Sequence, residues 1–336
     1  MIRALVLLLL PFAAQADTLR IASFNTELSR KGPGLLLRDI QRDDPQVEAV
    51  VQVLAATRPD IVALQGIDWD LDGLTLAAFT RRLSESGLSY PFSFTAQPNS
   101  GLETTLDLDG DGKTGGPGDA QGWGAFSGQN GLAVLSRYPV KVDQARSFSG
   151  MLWRDLPGAT LPTEGGKPFP SAIAQAAQRL SSTAHWVIPI EAPGGPVNLM
   201  TFHASPPVFD GPEDRNGLRN RDEIRLWSLL LNGALGPALS TRFVIAGDAN
   251  QDPAQGEGHK SAISELLEHP LVQDPFPRNT ATVLWKGVGE MRVDYILPSV
   301  GWELRDAGVY WPDQPERKIA ETASRHRLVW VDLADN

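Results

Sequence analysis

The chain contains no cysteine among its 336 residues, and this absence limits the kinds of site it can carry. Without thiols there are no disulfides, no thiolate metal ligands and no cysteine nucleophile. A lipid anchor on an amino-terminal cysteine is excluded for the same reason. Stability must therefore come from a buried core, because a chain of roughly 320 residues buries about three quarters of the surface that its unfolded state exposes.

Positive charge is also scarce. The chain has 30 lysine and arginine residues against 40 acidic ones, which gives a formal net charge of −10, and no basic stripe offsets the difference. Affinity for DNA depends on many cationic contacts to the phosphate backbone, so a long polyanion is a poor default partner. A small phosphorylated molecule needs only a local cluster of cations and remains compatible with this composition.

Long hydrophobic runs are limited to the amino terminus. Arg3, the run ALVLLLLPF and the small-residue end at 14–16 are typical of a secretory signal peptide over residues 1–16. We therefore expect a mature chain of residues 17–336, exported to the periplasm or secreted, with a net charge of −11 once Arg3 is lost. The run is too short to span a bilayer comfortably and no second one follows, so no membrane span is expected.

The rest of the sequence alternates short apolar runs with helical patterns, and no linker divides it, which predicts one α/β domain. Two irregular stretches, 97–129 and 150–170, are predicted to lie over the mouth of a site, with Trp123, Phe126 and Trp153 among the residues there. Helices are predicted at 45–57, 74–86, 222–231 and 259–268. Strands are predicted in TLRIASFN, RPDIVALQGID, GLAVLSRYPV, VNLMTFHASPP, FVIAGDANQDP, MRVDYILPS and HRLVWVDL.

Polar side chains of the kinds used in hydrolysis recur at the ends of these strands. Amide, carboxylate and imidazole groups in this arrangement are hard to explain by core packing alone. His185 is instead interpreted as a strand residue whose role in a site stays open. The six strand-end candidates are Asn25, His203, Asp248, Asn250, Asp294 and His326.

Taken in order, the motifs SFN, GDAN, RVDYIL and SRHRLVWVDL resemble those of the endonuclease/exonuclease/phosphatase superfamily, the DNase I-like metal-dependent phosphoesterases. The resemblance covers nearly the whole mature chain, and the stretch 206–220 is similar to exported bacterial members. It implies an α/β (α+β) fold, a four-layer sandwich in which two central, mostly antiparallel β-sheets lie face to face and are flanked by helices.

The resemblance also implies a role for each candidate side chain. Asp248 would accept a proton from the attacking water, and Asn250 would hold that water or a phosphate oxygen. His203 and His326 would donate hydrogen bonds to the charge that develops on the phosphoryl group. Asp294 would orient His326 by accepting from its other ring nitrogen.

The metal site implied by the resemblance is magnesium or another divalent ion, with Asn25 touching the ion or its water. Two positions depart from the family pattern: Gly66 stands where the principal glutamate ligand is usual, and Arg325 where an aspartate is usual. Losing two carboxylates should weaken the site. Either Asp68 supplies the missing carboxylate, or Arg325 provides a permanent cation that holds the phosphate. Restoring both carboxylates is predicted to tighten magnesium binding.

A second possible ion site is the acidic stretch LDLDGDGKTGGPGD. It begins like a calcium loop but has Gly118 where such a loop carries a glutamate, so a solvated acidic turn is the alternative. The candidate calcium ligands are Asp107, Asp109 and Asp111.

Arginines near a predicted helix start form a possible phosphate-binding group. Arg215 and Arg219 are predicted to contact substrate together with Arg325, with surface salt bridges as the alternative.

The combined prediction is an exported hydrolase that cleaves phosphoester bonds by activated water, on a small or lipid-borne phosphate ester. A catalytically impaired protein that binds phosphate esters and a secreted nuclease are the alternatives.

Overall fold

The computed structural model describes residues 18–335, so the predicted signal peptide lies outside the described residues. Within that range, no helix is long and apolar enough to cross a membrane. The helices are α1 Leu35–Ile40, α2 Pro45–Thr57, α3 Leu74–Glu85, α4 Ala172–Ala177, α5 Arg215–Leu231, α6 Lys260–Leu267 and α7 Glu316–Ala323. The strands are β1 Leu19–Asn25, β2 Ile61–Ile67, β3 Phe92–Phe94, β4 Gly131–Ser136, β5 Arg146–Ser147, β6 Thr163–Glu164, β7 Lys167–Pro168, β8 His185–Ala192, β9 Gly195–His203, β10 Phe243–Asp248, β11 Val283–Trp285, β12 Gly289–Met291, β13 Asp294–Pro298, β14 Trp302–Val309 and β15 Val329–Asp335.

Two central sheets contain most of these strands. The six-stranded sheet has the order β14-β15-β1-β2-β4-β3, and the five-stranded sheet has the order β13-β10-β9-β8-β5. Most pairs are antiparallel, but β1 pairs with β2 and β9 with β10 in parallel. Small two-stranded ribbons are formed by β6 with β7 and by β11 with β12.

The two sheets pack face to face with helices on their outer sides. Ile21 of β1 and Val244 of β10 belong to the core between the sheets, whereas their neighbours Ala22 and Ile245 belong to two outer cores. Successive side chains of a strand point to opposite faces, so each strand contributes to two cores. Helices α2 and α3 cover the first sheet, and α5 and α6 cover the second. The predicted four-layer sandwich is confirmed.

Some elements match the sequence prediction and others differ from it. Helix α2 has the predicted bounds, since the Asp44 side chain caps it by accepting from the backbone N–H of Gln46 and Val47. Helix α5 begins at Arg215, earlier than predicted. The residues that its first turns bury are polar, so the apolar pattern that predicts a helix is missing there. Strand β14 and the helices α1, α4 and α7 were not predicted, since they are short or carry mixed polar patterns.

The strand ends meet at one edge of the sandwich. His203 and Asp294 lie opposite Asp248 in the two neighbouring strands of its sheet. Asn25 ends β1 in the other sheet, and its side chain reaches across to Asp248. The edge where the two sheets meet therefore brings together residues from widely separated segments of the sequence.

Candidate functional site

Asp248 lies at the centre of this cluster, and its carboxylate is fully buried. Its Oδ2 accepts from Asn25 Nδ2 at 2.8 Å and lies 3.4 Å from His203 Nε2. Its Oδ1 accepts from the backbone N–H of Asn250 at 2.7 Å. These contacts fix the orientation of the carboxylate, as a general base requires.

His326 and Asp294 form a buried pair beside Asp248. The His326 Nδ1 lies 2.9 and 3.0 Å from the two Asp294 oxygens and 3.8 Å from Asp248 Oδ2. Burial alone would lower the pKa of His326, but the carboxylates of Asp294 and Asp248 more than offset it and raise the pKa to about 9. His326 is therefore a cation at neutral pH. Among residues 18–335 its Nε2 has no hydrogen-bond partner, so that nitrogen can donate to a ligand.

His203 differs from His326 in its charge and in the hydrogen bonding of its Nδ1. Burial lowers the pKa of His203, so its ring is neutral at neutral pH. Its Nδ1 is buried and has no hydrogen-bond partner in the described part of the chain. Asn250 adopts a left-handed backbone conformation with φ of 50° and donates from Nδ2 to the Ala204 carbonyl at 2.9 Å. His203 thus ends β9, and Asn250, in the loop after β10, bonds to the residue that follows His203.

Asn220 of α5 supports these loops and was not identified from the sequence. It is fully buried, and its Nδ2 donates to the carbonyls of Ser205 and Ala249, at 2.7 Å each. The two carbonyls belong to the loops after β9 and β10, so Asn220 holds the loops at a fixed separation. An asparagine among the charged residues near a predicted helix start was the only sequence signal that could have indicated it.

An open cleft of about 990 Å³ lies over the cluster. Its floor includes Asn25, Asp248 and His326, and its rim carries large apolar side chains that are exposed to solvent. The predicted aromatic residue Trp123 is one of them, whereas Trp153 is buried in the core beside α5, contrary to prediction. The rim includes Trp123, Phe209, Val288, Lys31 and Lys286.

Glu27 is a carboxylate of the cleft that sequence reasoning missed. Its Oε2 accepts from the backbone N–H of Arg325 at 2.7 Å and from Ser324 Oγ at 3.1 Å, and its Oε1 accepts from Arg325 Nε at 2.8 Å. A further bond joins Arg325 Nη2 to Oε1. Burial acts to raise the pKa of Glu27, but the bonds from Arg325 more than offset it and the pKa lies below its ordinary value. Glu27 is therefore an ionised partner of Arg325.

Arg325 is held on a second side by an aromatic ring. Its guanidinium carbon lies 4.5 Å from the centre of the Trp285 ring, and that ring meets the His326 ring edge-on at 5.3 Å. Contacts of this kind attract a guanidinium to the ring face. Within residues 18–335 the remaining nitrogen, Nη1, makes no hydrogen bond, and the side chain is 62% exposed at the cleft.

Gly66 lies behind Glu27 and Asn25, where β2 is interrupted by a bulge. Its φ is +73°, and a Cβ built on it would lie 2.6 Å from Asn25 Oδ1 and 2.8 Å from the Glu27 backbone nitrogen. A side chain at position 66 would therefore displace both residues. This contact contradicts the expectation that Gly66→Glu would restore a metal ligand, because the space is already filled.

Asp68 is placed away from the Asp248 cluster. Its oxygens accept from the backbone N–H groups of Asn130 and Arg30, at 2.9 and 2.8 Å. Burial raises the pKa of Asp68. The carboxylate stabilises the two loops that it joins, and it is not directed toward the gap at Gly66, which corrects the prediction that it replaces the missing ligand.

The arginines of α5 also lie away from the cleft. Arg219 is buried and donates from Nε to Leu180 O at 2.8 Å and from Nη2 to Arg179 O at 2.8 Å. Arg215 donates to the carbonyl of Leu108, and burial lowers the pKa of its guanidinium. Both arginines hold loops on α5, so the prediction that they contact substrate is corrected, whereas Arg325 does line the cleft.

His185 is a strand residue, as interpreted, and is fully buried beneath α5. Its Nδ1 pairs with Ser181 Oγ at 2.7 Å and its Nε2 with the Glu223 carbonyl at 3.0 Å. Burial lowers the pKa of His185 to about 3. The ring is thus neutral and belongs to the core.

The acidic loop gathers a different set of carboxylates from the predicted one. Ligand oxygens of Asp107, Asp109 and the buried Asp119 lie within 4.8 Å of one another. Asp111 instead accepts from the backbone N–H of Lys113 at 2.8 Å. The group that could hold an ion here therefore contains Asp119 in place of Asp111.

Comparison with known proteins identifies the family. The model of the Endonuclease/Exonuclease/phosphatase family matches residues 22–326. The chain belongs to this family. Its members are phosphoester hydrolases. No curated protein matches the sequence.

Solved structures with low sequence identity have the same fold. A family protein from Leptotrichia buccalis C-1013-b is 16% identical, with a TM-score of 0.55 over 94% of this chain and 99% of that one. The catalytic domain of human nocturnin, with a bound sulfate anion, is 14% identical, with a TM-score of 0.53 over 95% of each chain. Beta toxin from Staphylococcus aureus, a mutant with bound magnesium ions, is 12% identical, with a TM-score of 0.51 over 95% of this chain and 100% of that one.

Metal ligands are present in the cleft, but not in the pattern implied by the resemblance. Asp248, Asp294 and His326 have ligand atoms within 4.8 Å of one another, but the protonated ring of His326 offers no lone pair, so the two carboxylates are the groups that could hold a metal ion. At the position where the family carries its glutamate there is no side chain, and the nearby Glu27 carboxylate already accepts four bonds from Arg325 and Ser324. The residues around Glu27 therefore do not fit a divalent ion.

Proposed function

We propose that this chain is an exported hydrolase that cleaves phosphoester bonds by activated water, on a small or lipid-borne phosphate ester. The observation that carries the proposal is the buried cluster at the sheet edge. Asp248 is held by Asn25 and flanked by His203 and by the His326–Asp294 pair, on the floor of an open cleft.

The chemistry follows from the charges of these groups. Asp248 accepts a proton from water as the water oxygen attacks phosphorus, and the bond from phosphorus to the leaving oxygen breaks. His326, a cation at neutral pH, donates from Nε2 to the phosphoryl oxygens, where negative charge develops. Asp294 holds that ring in place through Nδ1. Protonation of the leaving oxygen by solvent completes the reaction.

The substrate class is inferred from the rim of the cleft. Phe209 is 91% exposed and Trp123 is 67% exposed, and both line the cleft with Lys31 and Lys286. Exposed apolar side chains next to a few cations suit an ester that carries one phosphate and an apolar group. A long duplex would meet an acidic protein with a formal net charge of −10. The apolar rim favours a lipid-borne ester over DNA.

A binding protein and a nuclease are the two alternative functions. A protein that binds phosphate esters without turnover is favoured by Gly66 and Arg325, which depart from the family pattern. A secreted nuclease is favoured by the family alone. A divalent cofactor, magnesium above all, is proposed at Asp248 and Asp294 rather than at Glu27, and calcium at the acidic loop. Export rests on residues 1–16, and an amino terminus at Asp17 in the secreted protein would support it.

The test is a panel of phosphomonoesters, phosphodiesters, phospholipids and supercoiled DNA, each assayed with EDTA and with magnesium. We expect turnover of a small or lipid ester and its loss in Asp248→Asn, which keeps the shape of the side chain. Equal rates in the two proteins would reject the proposal. Binding of the esters without turnover would favour the binding protein, and nicking of DNA alone would favour the nuclease.

A further inference from the structure

We propose that Arg325 is the fixed cation of the cleft, held in place by Glu27 and Trp285, and that it binds the phosphate group of the ester without a divalent ion at Glu27. The inference rests on the proposed function, because it concerns the same cleft and the same phosphate. Arg325 would act on the ligand directly, whereas Glu27 and Trp285 would be positioning residues.

The guanidinium is restrained on two sides and open on a third. Two of its nitrogens bond to Glu27 Oε1, and the Trp285 ring lies beneath it at 4.5 Å. Its Nη1 has no partner in the described part of the chain, and Arg325 lines the cleft together with His326. A guanidinium cannot lose its proton in a protein, so the positive charge is permanent. These restraints reduce the conformational freedom that Arg325 would lose when it binds a phosphate oxygen.

Glu27 cannot bond to Arg325 and bind a divalent ion at the same time. Both of its oxygens accept from Arg325, and one also accepts from Ser324 Oγ. Magnesium requires near-octahedral oxygen ligands at about 2.0–2.1 Å, so an ion at this carboxylate would have to displace the guanidinium. The positive charge beside the Glu27 carboxylate therefore comes from the Arg325 side chain and not from a bound ion.

Gly66 allows this arrangement. A Cβ at position 66 would collide with the backbone nitrogen of Glu27, at 2.8 Å, so only glycine leaves room for Glu27 to reach Arg325. The two departures from the family pattern are then linked. Gly66 removes the usual carboxylate and leaves room for Glu27 from the segment after β1, and Arg325 replaces an acidic residue with the cation that pairs with Glu27.

The first test is calorimetric titration of inorganic phosphate in the presence of EDTA. Arg325→Gln should weaken binding by about tenfold or more, since it removes a charge-assisted hydrogen bond. Arg325→Lys should retain part of the affinity. Arg278→Gln is the control, because Arg278 forms a surface ion pair with Glu268 and is 48% exposed. Equal affinities in Arg325→Gln and the control would overturn the inference.

The second test is titration of magnesium alone. Arg325→Gln should bind magnesium at least about tenfold more tightly than the wild type, because the loss of a nearby cation frees the Glu27 carboxylate. The double variant Glu27→Gln with Arg325→Gln should lose that gain. Unchanged magnesium affinity in Arg325→Gln would contradict the inference. Circular dichroism of each variant would confirm that it is folded.

These readouts separate the inference from the proposed function. If phosphate binding depends on Arg325 but no ester is hydrolysed, the inference stands and the hydrolase proposal fails. If esters are hydrolysed and Arg325→Gln binds phosphate as the wild type does, the hydrolase proposal stands and the inference fails.

Discussion

Replacing Gly66 by alanine should destabilise the protein more than the same change at a glycine that has a similar φ but free space around it. Gly34 is the matched control, since its φ is +72° and a Cβ there would have nothing within 4 Å. Gly66 has a φ of +73°, and its Cβ would lie 2.6 Å from Asn25 Oδ1 and 2.8 Å from the Glu27 nitrogen. The two substitutions therefore share a left-handed φ and differ in the collision.

The expected magnitudes follow from these two terms. A non-glycine residue in the left-handed region costs about 1–2 kcal/mol, and Gly34→Ala should show this cost alone. Forcing atoms into a packed site adds about 1–3 kcal/mol, so Gly66→Ala should lower the free energy of unfolding by about 2–5 kcal/mol. The collision partners are a backbone nitrogen and a side chain bonded to Asp248, and neither moves without breaking contacts of the site.

Urea unfolding of the wild type and the two variants measures both costs. The reasoning is supported if Gly66→Ala is the less stable variant by at least about 1 kcal/mol. Equal losses of stability would refute it, since they would show that position 66 has room for a side chain. In that case Glu27 and Asn25 would be free to move, and the arrangement around Arg325 would lose its structural basis.

Three further predictions concern other parts of the molecule. Activity should decline above pH 9, as His326 loses its proton at its raised pKa of about 9, and Asp294→Asn should move this alkaline limit to lower pH because a carboxylate that raises the pKa of His326 is removed. Arg219→Gln should lower the free energy of unfolding by about 3 kcal/mol or more, because several buried carbonyls lose their donor. Calcium should raise the melting temperature of the wild type but not of Asp119→Asn, if the acidic loop binds the ion.

Each of these predictions has a result that would contradict it. An alkaline limit that stays in place in Asp294→Asn, measured as kcat/KM against pH, would show that another group titrates there. Normal stability of Arg219→Gln in urea would show that its carbonyl partners find water. A melting temperature that calcium does not change would leave the acidic loop as a solvated turn.

The strand ends were the part of the site that the sequence could predict. A polar side chain after an apolar run marks a place where a buried strand reaches the edge of a sheet, and Asn25, His203 and Asp248 all follow this pattern. Asp294 opens its strand and His326 precedes β15, so their position depends on the antiparallel neighbours rather than on the run itself. Helix α2 was also predictable because an aspartate cap and a proline mark its start.

Long-range pairing was the part that could not be predicted. Glu27 follows β1 in a left-handed conformation with φ of 49°, and its role depends on an arginine 298 positions away. Neither the turn nor the pairing is encoded in local periodicity. Arginine is usually found at the surface, yet Arg219 is buried and donates to carbonyls of the surrounding loops. Gly66 could be identified as a departure, but the atoms that fill the space beside it come from another strand.

The most direct test of the central claim is hydrolysis in water labelled with ¹⁸O, using whichever ester of the panel is turned over. If Asp248 activates a water that attacks phosphorus, mass spectrometry should find the label in the phosphate product and none in the alcohol. Asp248→Asn should abolish the labelled product while remaining folded. Label in the alcohol, or labelled phosphate formed at the wild-type rate by Asp248→Asn, would contradict the assignment of Asp248 as the base of a phosphoester hydrolase.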